Sequence, residues 1–274
     1  KENKNFKIGI EHEKFLFDNN DNKRIDYSKV KMMFSALLEF GWNPILEGEN
    51  IIGLNKGGKN ITLEPGNQIE LSGEKLNHIH DACAESQDYL FELRQVTKKL
   101  NISIVSAGFD PISKLNQIPN NPKQRYKLMT EDMPLGGELS LDMMYRTCGT
   151  QLNIDYKSEE DFLKKFKVVN SIVPISIALF ANSSIVEKKN SNYLSYRSKV
   201  WQNTSRGGLP KLFFEELNFE KYAEFIMNFP ILFIKNGDNY ISGKKYIFKD
   251  FMKGKINEIK NRLPTENDLA THLS

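Results

Sequence analysis

Hydrophobic and polar positions alternate from residue 6 to 17, "FKIGIEHEKFLF", a period of two that predicts a strand. Asp26 then opens a period nearer 3.6: Val30, Met33, Phe34, Leu37 and Leu38 fall on one helical face, and Gly41 supplies the expected stop. Between 42 and 72 the runs are short. "NKGGKN" reads as a hairpin turn between the strands "IIGL" and "ITLE", and "NQIELSG" resumes after a break at Pro65-Gly66. The longest helical pattern covers 75–100, with Leu76, Ile79, Cys83, Tyr89, Leu90, Leu93 and Val96 expected to face the core. A strand is predicted from Ile102 to Ala107, and a loop rich in Pro and Asn over 108–122. "KQRYKLMTEDM" reads as a short helix stopped by Pro134, and 145–156 as a strand. Ser158 and Asp161 resemble a capping box for a helix running to about 181, kinked at Pro174. "LSYRSKVW" lies in the following loop, 218–229 is helical, and Asn236-Gly237 turns a hairpin. Strands and helices mix without βαβ alternation, so the expected class is α+β, an antiparallel sheet with flanking helices.

The same periodicity picks out chemistry. On a strand, i and i+2 share a face, so Glu11 and Glu13 project together. A solvated strand face is the plainer reading of an isolated E-x-E. Two further strands change that balance. In "ITLEPGNQIELSG", Glu64, Gln68 and Glu70 share parity if a bulge at Pro65-Gly66 keeps register, while Leu63, Ile69 and Leu71 oppose them. In "TCGTQLNIDY", Gln151, Asn153 and Asp155 share a face opposite Leu152 and Ile154. Clustered carboxylates repel, and a divalent cation such as Mg²⁺ relieves the conflict with hard oxygen ligands. Arg125 precedes Tyr126 on a short helix. Arg197 and Trp201 share a face if their segment is helical, which would offer a planar fork for carboxylate or phosphate beside an aromatic wall.

Composition narrows the class further. Of 274 residues, 38 are basic and 35 acidic, giving a net charge of +3 that does not point to nucleic acid. Mean hydropathy is −0.49 and no apolar run has the length of a membrane span. Two cysteines, Cys83 and Cys148, are too few for a disulfide scaffold and suit a reducing, cytoplasmic compartment; both read as small buried hydrophobes. Four scattered histidines offer no zinc spacing, and neither a G-x-G-x-x-G fingerprint nor a Walker A loop is present.

Taken in order, "GIEHEKF", "LEPGNQIELSG", "HDACAES", "PKQRY", "MPLGGELSLDMMYRTCGTQLNID", "ALFANS", "LSYRSKVW" and "PTENDLATHL" resemble the plant- and proteobacterial-type glutamate-cysteine ligases over nearly the whole chain. The resemblance implies a glutamine-synthetase-like catalytic core, one domain over 1–274 that is incomplete at its C-terminus. It implies ATP-dependent ligation of L-glutamate to L-cysteine with Mg²⁺, the first step of glutathione biosynthesis. By motif, Glu11, Glu13, Glu64 and Glu70 correspond to metal ligands, and Gln151 and Asn153 to the strand beside them. Arg125, Thr147, Arg197 and Trp201 correspond to positions around bound glutamate, with Arg197 or Arg125 fixing its α-carboxylate. Arg206 stands one place out of the family's register and receives no role. Cys83 resembles a position that forms a regulatory disulfide in the plant branch, which also makes a plastid the analogous compartment. Two rival readings remain: a carboxylate-amine ligase of the same fold with another acceptor, and a catalytically silent binding module.

Overall fold

A computed structural model describes residues 6–204, 217–237 and 239–273. Arg206 lies outside the described residues. The chain divides into two compact units, Lys1–Lys123 with Leu141–Gln202, and Gln124–Ser140 with Asn203–Ser274.

The first unit is built on an antiparallel sheet. Its strands are β1 (Ile8–Asp18), β2 (Asn43–Glu47), β3 (Asn50–Lys56), β4 (Lys59–Leu63), β5 (Ile69–Ser72), β6 (Ile102–Val105) and β7 (Thr150–Ile154). They lie in the order β2-β3-β4-β5-β1-β6, with β7 also paired to β1. One edge of β1 therefore serves two partners in succession. β7 pairs with residues 8–12 and β6 with residues 15–18. At the split between them stand Glu13 and Lys14. β5 runs along the other edge and pairs Glu13 directly with Glu70.

One face of the sheet is apolar because every second residue of β4 and β5 is: Ile61, Leu63, Ile69 and Leu71 are fully buried. Two helices cover that face. α1 (Tyr27–Leu37) is capped by the Asp26 side chain, which accepts from the Lys29 amide, and it contributes Val30, Met33, Phe34 and Leu37. α2 (Ile79–Lys99) contributes Tyr89, Leu93 and Val96. Two expectations for α2 need correction. The helix starts at Ile79, so Leu76 instead makes an isolated bridge to Ile8, and Ile79 and Cys83 are exposed. Ala82 and Glu85 take the inward positions, the Glu85 carboxylate accepting from the Glu74 amide.

The first unit continues through α4 (Ser140–Arg146), α5 (Glu159–Leu179), the small hairpin β8–β9 (Ile185–Val186, Lys189–Asn190) and α6 (Tyr196–Gln202). The expected strand over 145–156 is thus helix α4 up to Arg146, a turn, and the short strand β7. "LSYRSKVW", expected as loop, holds α6. α5 is capped by Ser158, which accepts from the Asp161 amide, and it runs through Pro174.

The second unit holds α3 (Gln124–Asp132), α7 (Phe219–Met227), a hairpin β10–β11 (Phe233–Asn236, Asn239–Ser242), α8 (Phe248–Met252) and α9 (Glu266–Leu273). Its own core gathers Ile231, Ile234, Phe248, Phe251, Ile256 and Ile259. No helix among the described residues is long and apolar enough to cross a membrane.

Candidate active site

The site grows from the polar face of the sheet. Register places Thr62 of β4 opposite Glu70 of β5, and Glu70 opposite Glu13 of β1, so one row runs Thr62–Glu70–Glu13. The next row runs Asn60–Ser72–Glu11–Gln151. Glu64 follows two residues after Thr62. The chain reverses there, with the Glu64 amide donating to the Gln68 carbonyl (2.8 Å), so parity survives because 64–68 is a hairpin turn, not a bulge within one strand. Asn67 takes the left-handed conformation in that turn (φ 61°), which Asn tolerates better than most residues. Gly66 has no room for a Cβ, which would stand 2.9 Å from the Tyr145 carbonyl oxygen.

The electrostatics report the crowding. Burial, the Glu64 charge and the Glu13 charge push the Glu70 carboxyl up to about 8, against a hydroxyl bond from Thr62 (3.0 Å). Burial and the Glu64 charge push Glu13 up to about 7, opposed by the Gly149 amide and Arg197. Glu11 sits at the outer end, where it accepts from Asn153 Nδ2 (2.8 Å) and more weakly from Gln151 Nε2 (3.4 Å). These carboxylates act on one another through space, and their excess negative charge is not neutralised by the Arg197 guanidinium. That donor set fits a hard divalent cation. Among the described residues, no group of three or more His, Cys, Asp or Glu side chains is placed to hold a metal ion as the chain stands.

Arg197 approaches the cluster from α6. Its guanidinium is mostly buried, stands 5.4 Å from the Trp201 ring and donates no hydrogen bond within the described residues. Helix α6 is what makes the i, i+4 pair share a face, as the spacing implied. Gly149 lets it come close. A Cβ there would lie 2.9 Å from Arg197 Nη2 and 3.4 Å from Glu13 Oε2, while the Gly149 amide donates to the same Glu13 oxygen. Glu13, Gly149, Arg197, Ser106, Cys148 and Asn182 line a cavity of about 570 Å³ that opens at the split between β6 and β7.

The remaining predicted residues fall in different places. Thr147 is buried, and its hydroxyl donates to the Met143 carbonyl (2.7 Å). Gln151 and Asn153 are exposed and hold Glu11. Leu152 and Ile154, expected to pack on the opposite face, are exposed too. Arg125 belongs to the second unit, where its Nη2 donates to the Tyr126 hydroxyl (3.0 Å). Cys148 is buried as expected, and burial together with the Glu13 charge pushes its thiol well up, away from nucleophilic use. Sequence reading missed Gly149; it set Gln68 on one face with Glu64 and Glu70, and in the structure Gln68 is buried. Gln68 Nε2 donates to the Met144 (3.2 Å) and Thr147 (3.1 Å) carbonyls and its Oε1 accepts from the Gly66 amide (2.9 Å), which ties the Glu64 turn to the Gly149 turn.

The antiparallel sheet thus presents crowded, half-buried carboxylates near a guanidinium that makes no ion pair among the described residues. The chain matches the glutamate-cysteine ligase family 2 (GCS2) over residues 7–274, and it belongs to that family. It is similar to "Glutamate--cysteine ligase A, chloroplastic" of Oryza sativa subsp. japonica, with 40% identity over 278 residues covering 100% of this chain and 56% of the relative. It is similar also to "Glutamate--cysteine ligase, chloroplastic" of Nicotiana tabacum (40% identity, 100% of this chain, 53% of the relative). The corresponding Arabidopsis thaliana protein is 38% identical over 98% of this chain and 52% of its own length. The chain therefore spans about half the length of these curated relatives.

Proposed function

We propose that the intact protein is an ATP-dependent ligase that joins the γ-carboxylate of L-glutamate to the amine of L-cysteine. The observation that carries this reading is the row of crowded carboxylates facing Arg197 across Gly149, in a chain of the glutamate-cysteine ligase family. On this reading both compact units belong to one glutamine-synthetase-like catalytic domain, and the protein works in the cytoplasm or, as its relatives' names suggest by analogy, in a plastid.

Glu11, Glu13, Glu64 and Glu70 would hold Mg²⁺, which supplies neutralisation of phosphate charge when bound. The chain's own groups do the rest. The Arg197 fork takes the α-carboxylate of glutamate, and Trp201 walls the pocket beside it. Thr147 acts through its backbone, whose carbonyl is fixed by Gln68. Gln151 and Asn153 hold Glu11 by side-chain amide donors, so its carboxylate keeps one orientation. With the α-carboxylate fixed, the γ-carboxylate oxygen attacks the γ-phosphorus of ATP and expels ADP, giving γ-glutamyl phosphate. The cysteine amine then attacks the acyl carbon, loses a proton, and the tetrahedral intermediate expels phosphate.

An acceptor panel tests the substrate assignment. With glutamate and MgATP, ADP release by the intact protein should rise with L-cysteine well above its rise with other amino acids. A larger response to another amine would reassign the acceptor within the same chemistry. The absence of ADP release with every amine would point to the catalytically silent reading.

A further inference from the structure

The turn that carries Glu64 is held by side chains from two remote segments. Lys123 Nζ donates to the Leu63 carbonyl (2.6 Å). Asn121 Nδ2 donates to the Glu64 carbonyl (2.7 Å) and to the Pro65 carbonyl (3.1 Å). Arg24 Nη2 donates to the Gly66 carbonyl. Four successive carbonyls thus meet protein donors where a surface turn would meet water. Two of the three donors are cations that the fold has buried: Lys123 is 6% exposed and the Arg24 side chain 0%. Burying a charge is costly unless geometry and partners repay it.

The donors are themselves fixed. The Lys123 amide donates to Asn121 Oδ1 (3.0 Å), so the two residues form one local unit. Arg24 pairs with the buried Asp110 at 3.1 Å and lies over the Phe15 ring at 4.7 Å. Asp110 in turn accepts from the Ile112 and Ser113 amides, both at 2.8 Å. The anchorage is therefore rigid, and what it anchors is one short turn.

We infer that Asn121, Lys123 and Arg24 are positioning residues for Glu64: they lock the carbonyls of 63–66 so that the Glu64 carboxylate keeps its place in the group with Glu13 and Glu70 before any ligand arrives. The inference rests on the proposed role of these glutamates as cation ligands. The physical need is plain. Three carboxylates held together without a cation repel one another, and a hairpin turn is the softest of the elements carrying them. A turn free to swing would relieve that repulsion and lose the preorganised site. Donors fixed on the main-chain carbonyls remove that freedom without themselves engaging the carboxylate.

The test measures cation binding, not turnover. Mn²⁺, which accepts the same oxygen donors, is titrated into the intact protein by electron paramagnetic resonance. Glu64→Gln should weaken Mn²⁺ binding. Asn121→Ala should weaken it by about tenfold or more, the range typical of groups that orient a ligand. In the Glu64→Gln background, Asn121→Ala should add nothing, because it acts only through Glu64. Amide exchange at Gly66 and Asn67 should quicken in Asn121→Ala. Lys123→Met is a second variant; if it fails to fold, Asn121→Ala carries the test alone, since Asn121 is only half-buried. Unchanged Mn²⁺ affinity in Asn121→Ala, with Glu64→Gln weakened, overturns the positioning role and leaves the cation site standing. The same loss in both backgrounds also overturns it, by making Asn121 a general stabiliser. Unchanged affinity in Glu64→Gln overturns the cation role of Glu64 and the inference together.

Discussion

At the scale of the residue, the site depends on small distances between charged groups. Arg197 is the clearest case, a mostly buried guanidinium with no hydrogen bond to the described residues and the Glu13 charge nearby. Arg197→Lys in the intact protein should weaken glutamate binding by roughly 1.5–3 kcal/mol and ATP binding far less, because an ammonium cannot replace a planar fork on a carboxylate. Equal loss for both substrates, measured by separate titrations, would place Arg197 outside the glutamate pocket. The carboxylates make a prediction in pH. Glu70 is raised to about 8 and Glu13 to about 7 in the folded protein, both above the ordinary 4.5. Between 4.5 and 8 these two carboxyls therefore hold more protons in the folded state than in the unfolded state, and their contribution to stability falls as pH rises through that window. Melting temperatures of the metal-free protein should show this decline, and Glu70→Gln should flatten it. Parallel profiles for the two proteins would mean that the carboxylates do not crowd one another in solution.

At the scale of the element, β1 organises the unit by giving one edge to β7 and β6 in turn, which sets Glu13 at their junction. The buried Arg24–Asp110 pair braces the segments behind it. Arg24 also reaches the Tyr145 carbonyl (3.4 Å) at the end of α4. Asp110→Ala leaves the guanidinium buried without its carboxylate, and chemical denaturation should register a loss of about 3–5 kcal/mol. A loss below 1 kcal/mol would show that Arg24 finds water or another partner. Much of this element structure is legible in the sequence. Period two fixes the shared face of Glu11 and Glu13, and of Glu64 and Glu70. The i, i+4 spacing fixes Arg197 with Trp201. Other features are not legible, for identifiable reasons. Cys83 sits at the border of the apolar stripe of α2, and starting the helix at Ile79 turns the stripe toward Ala82 and Glu85. α4 is seven residues long and follows Gly136-Gly137, too short for its periodicity to stand out. Asn121 and Lys123 carry no signal in the sequence, because the carbonyls they hold are distant in sequence and carry no side-chain signature.

At the scale of the whole molecule, the proposed function joins the carboxylate face, the Arg197 fork and the cavity at Glu13 in one ligase site. The proposed reaction activates glutamate as an acyl phosphate before the amine arrives, and ¹⁸O transfer follows that step. Glutamate labelled with ¹⁸O in its γ-carboxylate is supplied with MgATP and L-cysteine to the intact protein, and the released phosphate is analysed by mass spectrometry. One ¹⁸O in the phosphate is expected for each γ-glutamylcysteine formed, because the carboxylate oxygen that attacked phosphorus leaves with it. Product formed with unlabelled phosphate would contradict that reaction, as would cysteine-dependent ADP release without any amide product.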